Sequence, residues 1–278
     1  MHRGAYGLTL AGVDGIDRFL LDAPVAWPVV TLRLSGKAAP AGEDFVDDAR
    51  GQAEVAVSGG RVRLLRNPLH AVFAKAAPTM HELVHPVLSP VAVVAGHWLG
   101  RESYHAGAFV VDGAAWAVVG DRESGKSSTL GRLALDRVDI LCDDVVVLEV
   151  EADSITAMAG PRAIDLREEA SARLGVGEDL GTVGARDRWR VPLGEVSPEV
   201  PLRGWIFLSW GDQLASRPLP VGERLVRIAR SRALRIPPRR PEVLMQLAAL
   251  PGIEVSRPRR WDTIGETVAL LVAAAGGS

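Results

Sequence analysis

Apolar and polar residues alternate through VVTLRLSG (29–36) and EVAVSGGRVRLLRN (54–67), a period of two that predicts half-buried strands. The SGG inside the second stretch marks a hairpin turn. Between them GKAAPAGEDFVDDARG reads as a polar loop. A helical segment over THELVHPVLSPVAVVAGHWL, interrupted at Pro86 and Pro90, leads to a boundary near residue 100. Beyond it come YHAGAFVV, a DG turn, AAWAVV, the loop GDRESGKSS, a helix over 126–135 and the strand DILCDDVVVLEV. That succession is an α/β unit. WIFLSW (205–210) predicts a further buried strand, and helices follow near 241–250 and 263–275, with Thr263 and Glu266 at capping-box spacing for the last. The expected architecture is α/β: a mixed sheet with flanking helices over 101–278, preceded over 1–100 by a smaller β-rich region that is a candidate for substrate binding.

Composition narrows the class rather than the chemistry. At 278 residues, 47% hydrophobic and 24% charged, the chain can bury a large core. A net charge of -2 gives no overall field for nucleic acid or an anionic membrane, so neither is expected as a partner. The N-terminus lacks an apolar signal segment, and the longest apolar run, VALLVAAA, is too short to span a bilayer. A cytoplasmic location is the expectation, with homo-oligomerisation left open. Cys142, the single cysteine, lies in an apolar run and reads as a buried structural thiol.

The candidate chemistry begins with lysine usage. Lys37, Lys75 and Lys126 are the only lysines among 32 basic residues, so a position that holds Lys where Arg is the default asks for a reason. Gly120, Gly125, Lys126 and Ser127 fit G-x-x-x-x-G-K-[ST] between a strand and a helix. Successive amides and a helix N-terminus form a cradle for phosphate oxygens, and a compact ammonium fits between β- and γ-phosphates where a planar guanidinium is too broad. Candidate nucleotide-binding residues are therefore Gly120, Asp121, Arg122, Glu123, Ser124, Gly125, Lys126, Ser127 and Ser128, with ATP and Mg²⁺ as the expected cofactors. Ser127 would supply a hydroxyl to the metal.

Asp143 and Asp144 follow Ser127 by sixteen and seventeen residues, room for one helix and a strand returning parallel to AAWAVV with its acids at the loop. One acid can hold Mg²⁺ while the other accepts a hydroxyl proton. Ser127 and Asp144 are the candidate metal ligands, and either Asp143 or Asp144 is open as the base. If Asp112-Gly113 is a two-residue turn, the ladder sums to 225 and His105 falls opposite Gly120, beside the loop. Arg162 could neutralise charge on a transferred phosphoryl group. Arg186, Arg188 and Arg190 would share one strand face, and the seven arginines between 224 and 240 read as a solvated helix face.

The stretches HAGAFVVDG (105–113), GDRESGKSS (120–128), CDDVVVL (142–148), GPRAIDLR (160–167) and RWRVPL (188–193) resemble the HPr kinase/phosphorylase family and its relatives, including kinase-like proteins of lasso-peptide gene clusters. The resemblance runs from about residue 97 to 210. It implies a P-loop kinase domain of that type acting on a serine of a protein or peptide. It also implies that His105 is the active-site histidine, Lys126 the loop lysine, Ser127 the Mg²⁺-binding serine and Asp143–Asp144 the acid pair. Catalytic candidates are thus Asp143, Asp144, His105, Lys126 and Arg162. Glu123 stands where the family has a third glycine and Ser128 where it has Glu; a carboxylate at 123 would repel a triphosphate unless it meets an arginine. The first hundred residues do not resemble the family's N-terminal domain.

The chain is therefore expected to be a kinase that phosphorylates a hydroxyl, with a nucleotide-binding regulatory protein and a small-molecule kinase as alternatives. A rival signature, HELVH at 81–85, fits the zinc-protease pattern, but Pro86 leaves it too little helix to aim both histidines at one metal.

Overall fold

The computed structural model describes residues 2–12, 14–39, 42–234 and 240–277. Strands β1 (Arg3–Ala5), β2 (Leu8–Ala11), β3 (Leu21–Asp22), β4 (Val29–Leu34), β5 (Phe45–Asp47), β6 (Gln52–Val57), β7 (Gly60–Leu65) and β8 (His70–Ala74) form a mixed sheet in the order β3-β1-β2-β4-β8-β7-β6-β5. The expected hairpin at 54–67 is β6–β7. The stretch read as a polar loop contains β5, a three-residue edge strand pairing Phe45 with Glu54. Two apolar residues among acids leave no alternation to read, so its pairing comes from β6.

Helical turns α1 (Met80–Glu82) and α2 (Leu88–Trp98) connect to the second region. The interruption falls at His85, which is extended (φ -151, ψ 128) before Pro86. Pro90 interrupts nothing: it lies in the first turn of α2, where an N–H has no helical acceptor.

The second sheet takes β9 (Glu102–Tyr104), β10 (Ala106–Val111), β11 (Ala114–Gly120), β12 (Asp139–Cys142), β13 (Val146–Val150), β14 (Ile155–Met158) and β18 (Glu199–Trp210), in the order β12-β10-β11-β18-β14-β13-β9. β19 (Ala215–Pro218) and β20 (Gly252–Arg257) extend it beside β18, and β15 (Ala163–Leu166), β16 (Glu178–Val183) and β17 (Arg186–Pro192) make a separate three-stranded sheet. The helices are α3 (Lys126–Leu135), α4 (Glu168–Leu174), α5 (Val221–Arg230), α6 (Glu242–Ala249) and α7 (Ile264–Gly276).

AAWAVV and WIFLSW are continuously apolar because both faces of this sheet are covered. Trp116, Val118, Ile206 and Leu208 pack with Leu130 and Leu133 of α3 and Val268 and Leu271 of α7. Ala115, Ala117, Val119, Trp205 and Phe207 face the opposite way, into a core shared with α2 and the first sheet. That core is continuous across residue 100. DILCDDVVVLEV is two strands, not one, broken at Asp143 and Asp144, where Asp144 takes φ 69. Thr263 does not form a capping box: it is helical (φ -91, ψ -1) at the end of a 3-10 turn, and its hydroxyl donates to the Arg260 carbonyl. Among the described residues no helix is long and apolar enough to cross a membrane.

Trp116 is fully buried between β11 and the helices. Replacing it with Ala should lower the unfolding free energy by about 3–5 kcal/mol in denaturant titration; a loss under about 1 kcal/mol would mean that this face is not packed as described.

Candidate functional site

The strand-to-helix turn after β11 is shaped by its glycines. A Cβ on Gly120 would run into the Ser124 hydroxyl, and one on Gly125 (φ 79) would lie 2.6 Å from an Arg257 guanidinium nitrogen. The amides of Lys126, Ser127 and Ser128 open α3 and have no helical acceptor, so the hollow they border suits an anion. Lys126 is buried, with Nζ donating to the Gly120 carbonyl at 2.7 Å and that of Asp121 at 3.3 Å. Burial draws its pKa below the ordinary lysine value, against the opposing pull of Asp143, Asp144 and Asp121. Glu123 meets an arginine: its carboxylate lies 3.1 Å from Arg167 at the head of α4.

The Asp112-Gly113 turn has positive φ at both residues (50 and 73), as a two-residue primed turn requires. Ala106 pairs with Val119 and Val111 with Ala114, the ladder that brings His105 level with Gly120. β12 runs antiparallel to β10, hence in the direction of β11 with β10 between them, and ends at Cys142 beside the loop. The turn that follows presents both acids. Ser127 Oγ donates to Asp143 Oδ1 at 3.2 Å. Asp144 Oδ1 is 3.5 Å from His105 Nδ1, and its Oδ2 is 3.9 Å from His85 Nδ1.

The two carboxyls are pushed apart in pKa. Burial and then the charge of Asp144 raise Asp143. Burial also acts to raise Asp144, but His85, His105, the Ser89 hydroxyl and Lys126 outweigh it and hold this carboxyl below the usual range. The first region supplies two of these partners, His85 and Ser89, and also Tyr6, whose hydroxyl donates to the Asp143 backbone carbonyl at 3.2 Å. No local signal marks Tyr6 or Ser89. His85 was visible only as half of HELVH.

Arg162 is not brought to this rim. It is buried under the end of β12 and donates to the carbonyls of Ile140 (2.7 Å), Leu141 (3.2 Å) and Gly194 (2.8 Å), so its hydrogen-bonding capacity supports the strand that carries the acids. Burial pulls its pKa down to about 10. Arg190 likewise is internal, paired with Asp165 at 2.6 Å, while Arg186 and Arg188 open to the cleft. In the arginine-rich segment, Arg227 pairs with Glu254 and Arg232 with Glu102; residues 235–239 lie outside the described residues.

HELVH forms no metal face. His81 Nδ1 lies 3.5 Å from Arg190, His85 turns to Asp144, and Glu82 is buried, bonded to Lys75 and to the amides of Thr79 and Gly184. Among the described residues no group of three or more His, Cys, Asp or Glu is placed to hold a metal. A divalent cation that keeps phosphate and water ligands needs fewer, and the Ser127 hydroxyl with the Asp143 carboxylate is a donor set of the right hardness.

Two clefts meet here. One, of about 900 Å³, is lined by the 122–128 loop, both acids, His85 and Trp261; the other, of about 1400 Å³, reaches between Phe45 of β5 and Arg230 at the end of α5. His105, Asp144, Ser89 and Arg122 border both.

Burial acts to raise the pKa of Glu82, but Lys75 and the two amides prevail and hold it below its ordinary value of 4.5. A carboxylate lowered in the folded state contributes stability that is complete above its unfolded pKa and disappears as pH falls through the folded one. In urea titrations between pH 7 and pH 3, wild type should therefore lose stability below about pH 4.5 more steeply than Glu82→Gln. Equal slopes would show that Glu82 is not held ionised.

No protein-family model matches the sequence, and none of the curated proteins matches it. Among solved structures, the Hpr(Ser) kinase/phosphatase from Coxiella burnetii is similar over 63% of this chain and 96% of its own, at 12% identity and a TM-score of 0.35.

Proposed function

We propose that the protein is an ATP- and Mg²⁺-dependent kinase that transfers the γ-phosphate to a hydroxyl, a serine of a peptide or small protein. The observation that carries this reading is a glycine-bounded loop with a buried lysine, with the Ser127–Asp143 pair and the His105–Asp144 pair at one rim.

Lys126 gives up its contacts to the loop carbonyls for the β- and γ-phosphate oxygens, and the first amides of α3 hold the remaining phosphate oxygens. Ser127 and Asp143 would hold Mg²⁺, which when bound neutralises charge on the phosphates. This assignment moves the metal role from Asp144 to Asp143, because Asp143 shares a hydrogen bond with Ser127 whereas Asp144 is turned to the histidines. Asp144, held ionised between two imidazoles, accepts the proton of the acceptor hydroxyl as its oxygen bonds to the γ-phosphorus and the bond to the β,γ-bridging oxygen breaks, releasing ADP. His105 orients that carboxylate and borders both clefts, so the nucleotide can occupy the loop side while the acceptor enters from the other.

With radiolabelled ATP, Mg²⁺ and serine-containing peptides, the wild type should label an acceptor. Asp144→Asn should slow transfer about 10²–10⁴-fold with nucleotide affinity retained, whereas Lys126→Ala should lose affinity. Full transfer by Asp144→Asn would refute the base assignment. Bound nucleotide with no transfer to any acceptor would favour a regulatory binding protein.

A further inference from the structure

Arg257 ends β20, and its side chain, 4% exposed, lies against the 120–128 loop at the edge of the cleft of about 900 Å³. Its terminal nitrogen donates to the Ser124 carbonyl at 2.8 Å and to Thr129 Oγ1 at 3.2 Å, while Nε is buried without an acceptor. Among the described residues no carboxylate pairs with it, in a chain where Arg61, Arg190 and Arg232, also largely buried, each have one. Burial alone brings its pKa down to about 10, with no opposing charge acting on it. The Trp210 ring, 4.3 Å from the guanidinium carbon, offers a cation–π contact, a smaller effect than the desolvation of an unpaired buried cation. A second group at the same place is unsatisfied: Ser124 Oγ is buried without a partner, on a residue that lines both clefts.

A buried cation lacking a counter-ion, beside an orphan hydroxyl and free helix amides, is an arrangement completed by an anion. The peptide geometry adds direction. In a trans peptide the carbonyl and the following N–H point opposite ways, so by holding the Ser124 carbonyl, Arg257 turns the Gly125 N–H away from itself. Gly125 is also where a Cβ would meet this guanidinium at 2.6 Å.

We propose that the polyphosphate of a bound nucleotide is the missing counter-ion of Arg257, and that this arginine sets the loop's affinity for polyphosphate by fixing the 124–125 peptide and by its charge. The proposal rests on the phosphate-loop reading above and assigns to β20, more than 120 residues from the loop in sequence, a part in binding. Arg257 acts as a positioning residue for the loop. Ser124 would turn its hydroxyl to the same anion.

The test is calorimetric titration of the full chain with inorganic tripolyphosphate, in wild type, Lys126→Ala, Arg257→Met and Arg257→Lys, each checked for folding by circular dichroism. Arg257→Met should bind at least about tenfold more weakly, the scale of one lost charge-assisted interaction, and Arg257→Lys should recover part of the loss. A merely structural arginine would lower the melting temperature and leave the affinity of the folded protein alone. If Arg257→Met binds within about twofold of wild type while Lys126→Ala does not bind, the proposal fails and the loop reading stands. If wild type does not bind, both fall. Should Arg257→Met not fold, the ¹⁵N–H signal of Arg257 Nε in wild type, assigned by its disappearance in Arg257→Lys, gives the answer. It should shift and exchange more slowly with water on saturation with tripolyphosphate; an unmoved signal overturns the proposal.

Discussion

Two carboxylates on adjacent residues repel each other, and inside a protein they stay ionised only where donors and positive charge are brought to them. Asp143 and Asp144 impose that demand, and the site is arranged around it. Ser127 donates to one acid; two imidazoles, Ser89 and the field of Lys126 serve the other. Most of these groups can also serve a phosphate, a metal or an acceptor hydroxyl, so electrostatics that keep the turn folded are the same electrostatics the proposed reaction uses.

The demand also ties the two regions together. Tyr6, His85 and Ser89 come from the first hundred residues, yet they touch the acid turn, and the apolar core runs uninterrupted between the sheets. The first region is therefore part of the site's wall rather than an appendage. Arg162 acts from below in the same sense: by gathering the carbonyls at the end of β12 it fixes where the turn emerges.

Local signals were legible in the sequence and distant ones were not. The bounds of α3 and the level of His105 against Gly120 follow from a glycine loop and a two-residue turn, both short-range devices. A turn that breaks the strand at Asp143–Asp144 is one reading of the paired acids, but DILCDDVVVLEV is apolar on both sides of them, and a strand that changes partners there looks the same as one that continues. β5 was missed for lack of alternation, and the cap at Thr263 because residue spacing does not report that a 3-10 turn has already made Thr263 helical. His85, Tyr6 and Arg257 reach the site through tertiary packing, which no period or motif encodes. Arg162 reads from the sequence as a charge for a transferred phosphoryl group or for a neighbouring carboxylate, and the structure gives it backbone carbonyls instead, a partner set that residue type alone does not signal.

In the proposed reaction the turn at 120–128 holds a triphosphate against the acid pair. A crystal structure of the full chain with Mg²⁺ and a non-hydrolysable ATP analogue tests it most directly. The β- and γ-phosphates should lie on Lys126 and the amides of α3, the metal on Ser127 and Asp143, and the γ-phosphate should face Asp144 and His105. A nucleotide bound elsewhere, or a triphosphate turned away from both acids, would contradict it.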